Sequence, residues 1–180
     1  MTKANIACWS PGPNEITWHF AIRHQVFVEE QRVMVFTDVD DHDRDPDTIH
    51  VVAAIGNQVA GTVRLYQQGS NGRWKGDRLA VLPEHRSSLV GMRLVRFAVS
   101  TAAACGGGEM EASVQVANTT FFERLGWSRD GEVAPYFGLP HQPMAISLVG
   151  AAAALESRPQ FDDLHLPIAG PFPSPLLAAV

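Results

Sequence analysis

The sequence predicts a mixed α/β domain of the α+β kind, in which helices flank a mostly antiparallel central sheet. Strand-like and helix-like segments alternate along the chain. Two β-rich runs, HVVAAI and QVAGTVRLY, are separated only by Gly56-Asn57, which is typical of a tight antiparallel hairpin. The 180 residues are 46% hydrophobic, so one domain can bury a sizeable core.

The first half of the chain supplies a strand, a helix, the hairpin and a further strand. Asn5 to Trp9 alternates as a strand, and SPGPN ends it and opens a helix predicted over Glu15 to Gln31. The strand after the hairpin is predicted from Trp74 to Val81. It is placed in the middle of the sheet because its end, Leu79-Ala80-Val81, is too apolar for an edge that faces solvent.

The second half contains the clearest helix of the sequence. A helical apolar repeat runs from Ser88 to Ala104 and stops at three consecutive glycines. EMEASVQV then alternates as a strand, and NTTFFERLG predicts a short helix that ends at Gly126. The last strand is predicted near Met144 to Val149.

A change of composition divides the chain into residues 1–149, the predicted domain, and residues 150–180, an alanine- and proline-rich tail without a sustained period. The tail carries apolar side chains that are unsuited to a solvated linker: Phe161, Leu164, Leu166, Ile168, Phe172, Leu176 and Leu177. We therefore expect it to dock on its own subunit or on a partner subunit, and a homodimer formed through the tail is one of these outcomes.

Composition excludes several classes of function. A net charge of -5 argues against nucleic-acid binding, and no segment has the roughly 20 apolar residues that span a bilayer, so neither nucleic acid nor membrane is an expected partner. A cytoplasmic location is the default expectation. The two cysteines lack metal-ligand spacing, and Pro46 and Val52 occupy the glycine and glutamate positions of a calcium loop. No metal is expected.

The two signs of charge are segregated along the sequence. Acidic residues crowd an early segment, namely Glu29, Glu30, Asp38, Asp40, Asp41, Asp43, Asp45 and Asp47. Basic residues dominate the middle, namely Arg64, Arg73, Lys75, Arg78, Arg86, Arg93 and Arg96. A fold that separates the two regions can bind a cation at one and an anion at the other, whereas two solvated faces are the alternative.

The segment HRSSLVGMR joins the strand RLAV to the long helix and predicts an anion site. Free N–H groups at a helix start attract anions, and Ser87 and Ser88 add hydroxyl donors. Arg86 and Arg93 offer charge-assisted contacts to phosphate. Leucine at position 89 is excluded only if this position must adopt a positive φ or lie against the ligand, which would cost about 1–2 kcal/mol. It is tolerated if the helix starts one residue early.

This strand, turn and helix, followed by ASVQV and NTTFFERLGW, resemble the GNAT family of N-acetyltransferases over roughly Ile6 to Leu148. In that family the loop Q/R-x-x-G-x-G/A holds the diphosphate of acetyl-coenzyme A (acetyl-CoA). Arg86 and Gly91 match its first and last positions, and Leu89 replaces its first glycine. The resemblance implies the GNAT fold, acetyl-CoA as cosubstrate, and contacts to it from Leu79, Ala80, Val81, Arg86, Ser87, Ser88, Leu89, Val90, Gly91 and Met92.

A second segment, VQVANTTFFERLGW, resembles the family pattern of a strand followed by asparagine and an aromatic pair. The resemblance implies that Asn118 binds the pantetheine arm, with Phe121 and Phe122 beside it. Phe122 stands where the family often has the tyrosine that protonates the departing thiolate. Because phenylalanine has no such proton, water, another side chain such as Tyr136, or no acid at all serves the sulfur.

A third segment, RHQVFVEEQRVMVFTDVDDHDRDPDTIH, together with YFGLPHQPMAI, resembles the ElaA-like acetyltransferases and, within them, the nitrogen-starvation N-acetyltransferases. A similar layout of arginine, Val-Phe and spaced aspartates occurs in acyl-homoserine-lactone synthases, which share the fold. The resemblance therefore leaves the acceptor open.

Attack of an amine on a thioester requires a base, an oxyanion donor and positioning of both reactants. Strand alternation places Asp77, Leu79 and Val81 on one face and Arg78 on the other. If Val81 offers its amide to the carbonyl, Asp77 is a candidate base or a residue that orients the amine. His141, in a turn between prolines, is a second candidate. Glu29 is a third, with Gln31 and His50 as further residues that the family resemblance places around the acceptor.

The leading hypothesis is an N-acetyltransferase that moves an acetyl group from acetyl-CoA directly to the amine of a small molecule. The acidic segment favours a cationic acceptor. One alternative is an acyltransferase of the homoserine-lactone type with a longer acyl group, which predicts a deep apolar tunnel past Val81. The other is a non-catalytic sensor or scaffold that binds acyl-CoA.

Overall fold

The computed structural model describes residues 5–153, 158–159 and 163–168, and its strands form one eight-stranded sheet. The strands are β1 (Ile6–Trp9), β2 (Ile49–Ile55), β3 (Gln58–Gln68), β4 (Arg73–Val81), β5 (Glu109–Gln115), β6 (Ser128–Arg129), β7 (Ala134–Tyr136) and β8 (Leu139–Ser147). Their order is β1-β2-β3-β4-β5-β8-β6, with β7 also paired to β8. All pairs are antiparallel except β4 with β5, which confirms the predicted mixed, mostly antiparallel sheet.

Helices cover both faces of this sheet. They are α1 (Ile16–Arg23), which continues as π-helical turns over His24–Glu30, α2 (Val90–Ala104) and α3 (Thr119–Arg124). Short 3-10 turns span Asp41–Arg44, Pro83–His85 and Val116–Asn118. Within the described ranges, no helix has the length and apolar character required to span a bilayer.

Strand alternation separates two hydrophobic clusters, one on each face. On one face the apolar stripe of α2 packs on the sheet through residues such as Leu94 and Ala98, against Val63 and Leu65 of β3. On the other, Ile22 of α1 and the π-helical turns pack against β1 and β2. The two faces are called the α2 face and the α1 face below.

The parallel pair opens into a cleft. β4 and β5 are paired only from Arg73 to Lys75, opposite Glu109 to Glu111. Beyond Lys75 the two strands separate, so one edge of the second half of β4 has no neighbouring strand among the described residues. This separation creates room for a ligand in the middle of the sheet, next to the start of α2.

A β-bulge in β4 overturns the face assignment made from strict alternation. The register with β3 shifts between Thr62 and Arg64, and Arg78 adopts a left-handed φ of 51°. Asp77 and Arg78 consequently both enter an ion-pair network on the α1 face, whereas Leu79 packs with the α2-face core. The prediction that Asp77 and Leu79 share a face, opposite Arg78, is wrong because the bulge inserts one residue.

The start of the last strand also differs from the prediction. β8 begins at Leu139, five residues before the predicted start at Met144, so His141 lies in a strand. Prolines at 140 and 143 break the sequence pattern but are accommodated in β8.

Part of the tail docks on its own subunit. Leu164, Leu166 and Ile168 pack on the α1-face cluster, and the His165 backbone exchanges hydrogen bonds with Val59 and Asn57 at 2.9 and 3.0 Å. The predicted docking residues Phe161, Phe172, Leu176 and Leu177 lie outside the described residues, and a homodimer through the tail stays a prediction.

Candidate active site

The cleft between β4 and β5 has a cavity volume of about 160 Å³ and two kinds of lining. Apolar side chains form its inner part, namely Val63, Leu79, Val95, Ala98, Met110 and Phe122. Polar side chains surround the part toward the α1 face, namely Gln31, Lys75, Asp77, Ser113, Gln115 and His141. Gln115 donates to Gln31 at 3.0 Å and thereby links the π-helical turns to β5.

The start of α2 presents free backbone amides. The Val90 amide donates to Ser88 Oγ at 3.2 Å and the Arg93 amide to Leu89 O at 3.0 Å. Within the described part of the chain, the amides of Leu89, Gly91 and Met92 have no hydrogen-bond acceptor. Unpaired amides at the positive end of a 15-residue helix are suited to bind an anion.

Leu89 does not obstruct this helix start. Its φ is −86°, so no left-handed conformation is required, and its side chain is 54% exposed. The leucine in place of the family's first glycine therefore imposes no backbone strain.

Arg86 is committed to a protein partner instead of being free for phosphate. Its two terminal nitrogens donate to both carboxylate oxygens of Glu30 at 2.6 Å, and its Nε donates to Val81 O at 3.0 Å. Arg93, one helical turn further on, is exposed and forms no ion pair with any described residue. Arg93 is thus the available guanidinium at this end of the helix.

The unpaired edge of β4 carries an amide that is directed into the cleft. The Leu82 amide donates to Ala60 O of β3 at 2.9 Å, and successive N–H groups of a strand point to opposite sides. The Val81 amide therefore points away from β3. The same edge bears Val81 O, which accepts from Arg86.

The asparagine and the aromatic pair occupy the other wall. Asn118 is exposed and immediately precedes α3, and it lines the cleft. Phe122 is buried against Trp127, with ring centroids 5.3 Å apart, and Phe121 packs at the edge of the same core. A Cβ added to Gly91 would lie 3.7 Å from Phe121 Cζ, so the two walls meet beside the start of α2.

Neighbouring groups fix the orientation of the His141 ring. It accepts no hydrogen bond from the described residues, and its Nδ1 lies 2.9 Å from the Leu139 carbonyl. Because a carbonyl only accepts, Nδ1 carries the proton and Nε2 keeps a lone pair. The Tyr136 ring packs edge-on at 5.3 Å, and both residues line the cleft.

The other two candidate bases have different surroundings. Both Asp77 oxygens accept from Arg64, at 2.8 and 2.7 Å, and its side chain is 14% exposed at the cleft. Glu29 lies outside the cleft lining; its side chain is 61% exposed and lies 3.2 Å from His24 Nε2. The structure thus brings Asp77 and His141 to one cleft and leaves Glu29 outside it.

A buried ion-pair network lies beneath the cleft on the α1 face. Three arginines contact four aspartates there: Arg23, Arg64 and Arg78 with Asp38, Asp40, Asp43 and Asp77. Burial alone would raise the pKa of the Asp40 carboxyl, but the hydrogen bonds from Arg64 and the positive charges of Arg64 and Arg78 together outweigh burial and lower that pKa. The interpretation that the fold separates acids from bases is wrong, because these aspartates are paired with arginines. The acidic segment consequently gives no support to a cationic acceptor.

Two histidines complete this network. His19 Nδ1 donates to the Thr62 hydroxyl, which itself donates to Val51 O, so His19 Nε2 accepts from Arg23 Nη1 at 2.8 Å. His50 Nδ1 lies 3.0 Å from the same His19 Nε2. Burial lowers the pKa of His50 to about 4 and lowers that of His19 well below its usual value. Both rings are therefore neutral at pH 7.

His19, Asp43 and His50 place potential metal-ligand atoms within 4.8 Å of one another. Both Asp43 oxygens, however, accept from Arg23, and Arg64 Nη1 lies 2.9 Å from one of them. Guanidinium groups occupy the positions around Asp43 that a cation would need, so the arrangement favours an internal ion-pair network over a metal centre.

The free amides, the open strand edge and the polar cleft all lie in a part of the chain that matches a known protein family. A profile of the family described as acetyltransferase (GNAT) domain matches residues 26–148, more than half of the chain. The chain belongs to the GNAT acetyltransferase family. Membership supports an acyl-CoA as cosubstrate.

Individual GNAT proteins extend this finding. The N-acetyltransferase YjcF of Bacillus subtilis, itself uncharacterized, is 28% identical over 108 residues, which are 60% of this chain and 74% of YjcF. The crystal structure of Escherichia coli ElaA has a TM-score of 0.68 at 20% identity and covers 79% of this chain and 98% of ElaA. BjaI, a CoA-dependent acyl-homoserine lactone synthase solved with SAM and isopentyl-CoA, has a TM-score of 0.68 at 18% identity. The match covers 89% of this chain and 97% of the BjaI chain. The two structural likenesses show the fold, and the nitrogen-starvation subfamily stays a prediction.

Sequence reasoning missed several polar residues of this GNAT cleft. Lys75, Ser113 and Gln115 line it because the α1 faces of β4 and β5 diverge around them. Period-two alternation indicates which side of a strand each residue occupies, but it does not indicate where two strands separate.

Proposed function

We propose that this GNAT protein transfers an acetyl group from acetyl-CoA directly to the amine of a small molecule. The observation that carries the proposal is the set of unpaired amides of Leu89, Gly91 and Met92 at the head of α2, beside the open edge of β4. The diphosphate would accept from these amides, with Arg93 supplying a guanidinium and Asn118 a contact to the pantetheine arm.

The chemistry follows from the orientation of the cleft groups. His141 Nε2 removes a proton from the acceptor ammonium, and the neutral amine forms a C–N bond with the thioester carbonyl carbon. The Val81 amide donates to the oxygen that becomes negative. When the C–S bond breaks, the sulfur takes its electron pair and a proton from Tyr136, the donor that Phe122 cannot be. The second proton that the nitrogen loses as the amide forms passes through solvent water to the tyrosinate and restores Tyr136, and His141 releases the first proton to solvent. Asp77, held by Arg64, orients the amine, and we assign no role in the transfer to Glu29.

A second candidate function is transfer of a longer acyl group. The inner cleft is lined by apolar side chains, including Val63, Val95 and Met110, and can receive a chain beyond the acetyl methyl. The acyl-homoserine lactone synthases among the structural neighbours make this candidate concrete, although their likeness extends to the fold alone. A non-catalytic acyl-CoA sensor would use the same amides without turnover.

The test combines binding with turnover. Thermal unfolding is followed with CoA, acetyl-CoA, butyryl-CoA and octanoyl-CoA, and release of the CoA thiol is then screened over small amines. We expect stabilisation by every CoA species and amine-dependent thiol release that is fastest with acetyl-CoA. Faster release with octanoyl-CoA would favour the second candidate, and stabilisation without release from any thioester would favour the sensor.

A pair of variants at one residue tests the placement of the diphosphate. Met92→Pro removes a free amide in the first turn, where proline is tolerated, while Met92→Ala keeps that amide. We expect the proline variant to bind CoA about tenfold more weakly than the alanine variant, the effect of losing one charge-assisted hydrogen bond. Equal affinities, with both variants folded, would contradict this placement.

A further inference from the structure

We propose that the acceptor is a small amino acid, whose carboxylate is bound by Lys75 while its amine is acetylated. This inference rests on the proposed function, because it concerns the acceptor side of the same cleft. It is carried by the charge state, position and neighbours of Lys75.

Lys75 is a cation without an anionic partner. Its Nζ lies 3.2 Å from the Ser113 hydroxyl, and no carboxylate of the described residues lies within 4.0 Å of it. Glu111, opposite Lys75 on β5, is paired with Arg73 instead. The other cation that lines the cleft, Arg78, is neutralised by Asp40 at 2.9 Å. Lys75 is therefore the charge in the cleft lining that is left for a ligand.

Lys75 also lies on the acceptor side of the cleft. Its strand neighbours Trp74 and Gly76 face the α2-face core, so Lys75 projects to the α1 face together with Ser113. On β5, Ser113 is two residues from Gln115, which pairs in register with His141 on β8. Two residues along a strand span about 7 Å. His141 lies one strand further, about 5 Å away, so Ser113 and His141 are roughly 8–9 Å apart. This separation accommodates a short amino acid with one hydrogen bond from its carboxylate to Lys75 and one from its amine to His141.

The surrounding charges favour a ligand group with one negative charge over a group with two. The network below the cleft contains three guanidinium groups and four carboxylates, so its formal sum is −1. A phosphate dianion next to it would be repelled and would meet a single free cation, whereas a monovalent carboxylate is balanced by Lys75.

The test compares amino acids with their carboxamides. Glycine, β-alanine, γ-aminobutyrate and larger amino acids are each assayed against the corresponding amide, with acetyl-CoA and detection of the released thiol. We expect kcat/KM to be about tenfold or more higher for the acid, as is typical of a charge-assisted contact. Because a neighbouring carboxylate raises the pKa of the amine, such a preference cannot come from easier deprotonation.

Substitutions connect that preference to the residue. Lys75→Met should bring the ratio of acid to amide close to one, and Lys75→Glu should favour the amide. Arg44→Gln removes an exposed cation outside the cleft lining, paired with the exposed Asp41, and should leave the wild-type ratio intact. A wild-type ratio near one, or a ratio that Lys75→Met leaves unchanged, would overturn the proposal.

The experiment also separates this inference from the proposed function. Acetylation of acids and amides at equal rates would refute the carboxylate and retain the acetyltransferase. If no amine is acetylated, the carboxylate site is tested by calorimetry, which measures binding of the same amino acids to the CoA-loaded protein. Binding that Lys75→Met abolishes supports the carboxylate site, and binding unaffected by that substitution, or absent, refutes it.

Discussion

Arg64 donates two hydrogen bonds to Asp77, from Nε at 2.8 Å and from Nη2 at 2.7 Å. The guanidinium is fully buried and also donates twice to Asp40, so it ties β3 to the bulge of β4 and to the acidic loop. The wall of the cleft that carries Asp77 is therefore supported mainly by Arg64, while the Arg78 guanidinium lies 3.8 Å from the same carboxylate.

Removal of that charge should destabilise the fold. Arg64→Met leaves two guanidinium groups for four carboxylates in the network and removes the hydrogen bonds to both Asp77 oxygens, so we expect the free energy of unfolding to fall by about 3–5 kcal/mol. Arg44→Met, which breaks an exposed ion pair with Asp41, should change it by about 0.5 kcal/mol or less. Urea unfolding of both variants measures the difference, and similar small losses in the two would show that the network contributes little.

The neutral histidines predict loss of stability in mild acid. Burial lowers the pKa of His50 to about 4, so between roughly pH 6.5 and 4 the unfolded chain binds a proton that the folded chain does not. The free energy of unfolding therefore has its full value above about pH 6.5 and decreases as the pH falls toward 4. For His50 alone the loss between pH 7 and pH 5 is about 2 kcal/mol.

His50→Gln provides the control for this pH dependence. The free energy of unfolding, measured in urea at pH 7, 6 and 5, should decline less steeply in the variant than in the wild type. An identical decline in both proteins would mean that His50 titrates alike in the folded and unfolded chains.

The assignment of His141 as base predicts a loss confined to chemistry. His141→Asn can still donate to Leu139 O but has no lone pair on a basic nitrogen, so kcat should fall by about 10²–10⁴ while CoA affinity and thermal stability stay close to wild type. Asp77→Asn should mainly raise KM for the amine. A larger loss of kcat in Asp77→Asn than in His141→Asn would exchange the two roles.

Leu89 offers a prediction of no effect on binding. Because its φ is negative and its side chain is exposed, Leu89→Gly should change the dissociation constant of CoA by about twofold or less. Calorimetric titration of the folded variant measures this. A large gain in affinity would show that the leucine side chain obstructs the diphosphate.

The fold was predictable from sequence because its signals are local. The Gly56-Asn57 turn, the apolar period of α2 and the glycines that end it each specify structure within a few residues, and the structure confirms these elements. The β4 bulge lacked such a signal, since Arg78 is not a residue type that favours a positive φ. Its conformation is held by long-range contacts to Asp38 and Asp40.

The site was only partly predictable for the same reason. Its sequence-local component, the start of α2, was anticipated together with the exposed Leu89. The pairing of Arg86 with Glu30, the network around Arg64 and the free charge of Lys75 depend on residues that are distant in sequence. Charge segregation along the chain indicated opposite surfaces, whereas folding brings the two signs together because a buried charge requires a partner.

The central claim is that the backbone amides of Leu89, Gly91 and Met92 bind the diphosphate of CoA. Amide NMR shifts recorded while CoA is titrated into the protein test it most directly, with pantetheine, which lacks phosphate, as the matched ligand. We predict large shifts of these three amides with CoA and little change with pantetheine. Binding of CoA that leaves all three amide signals in place would contradict the claim.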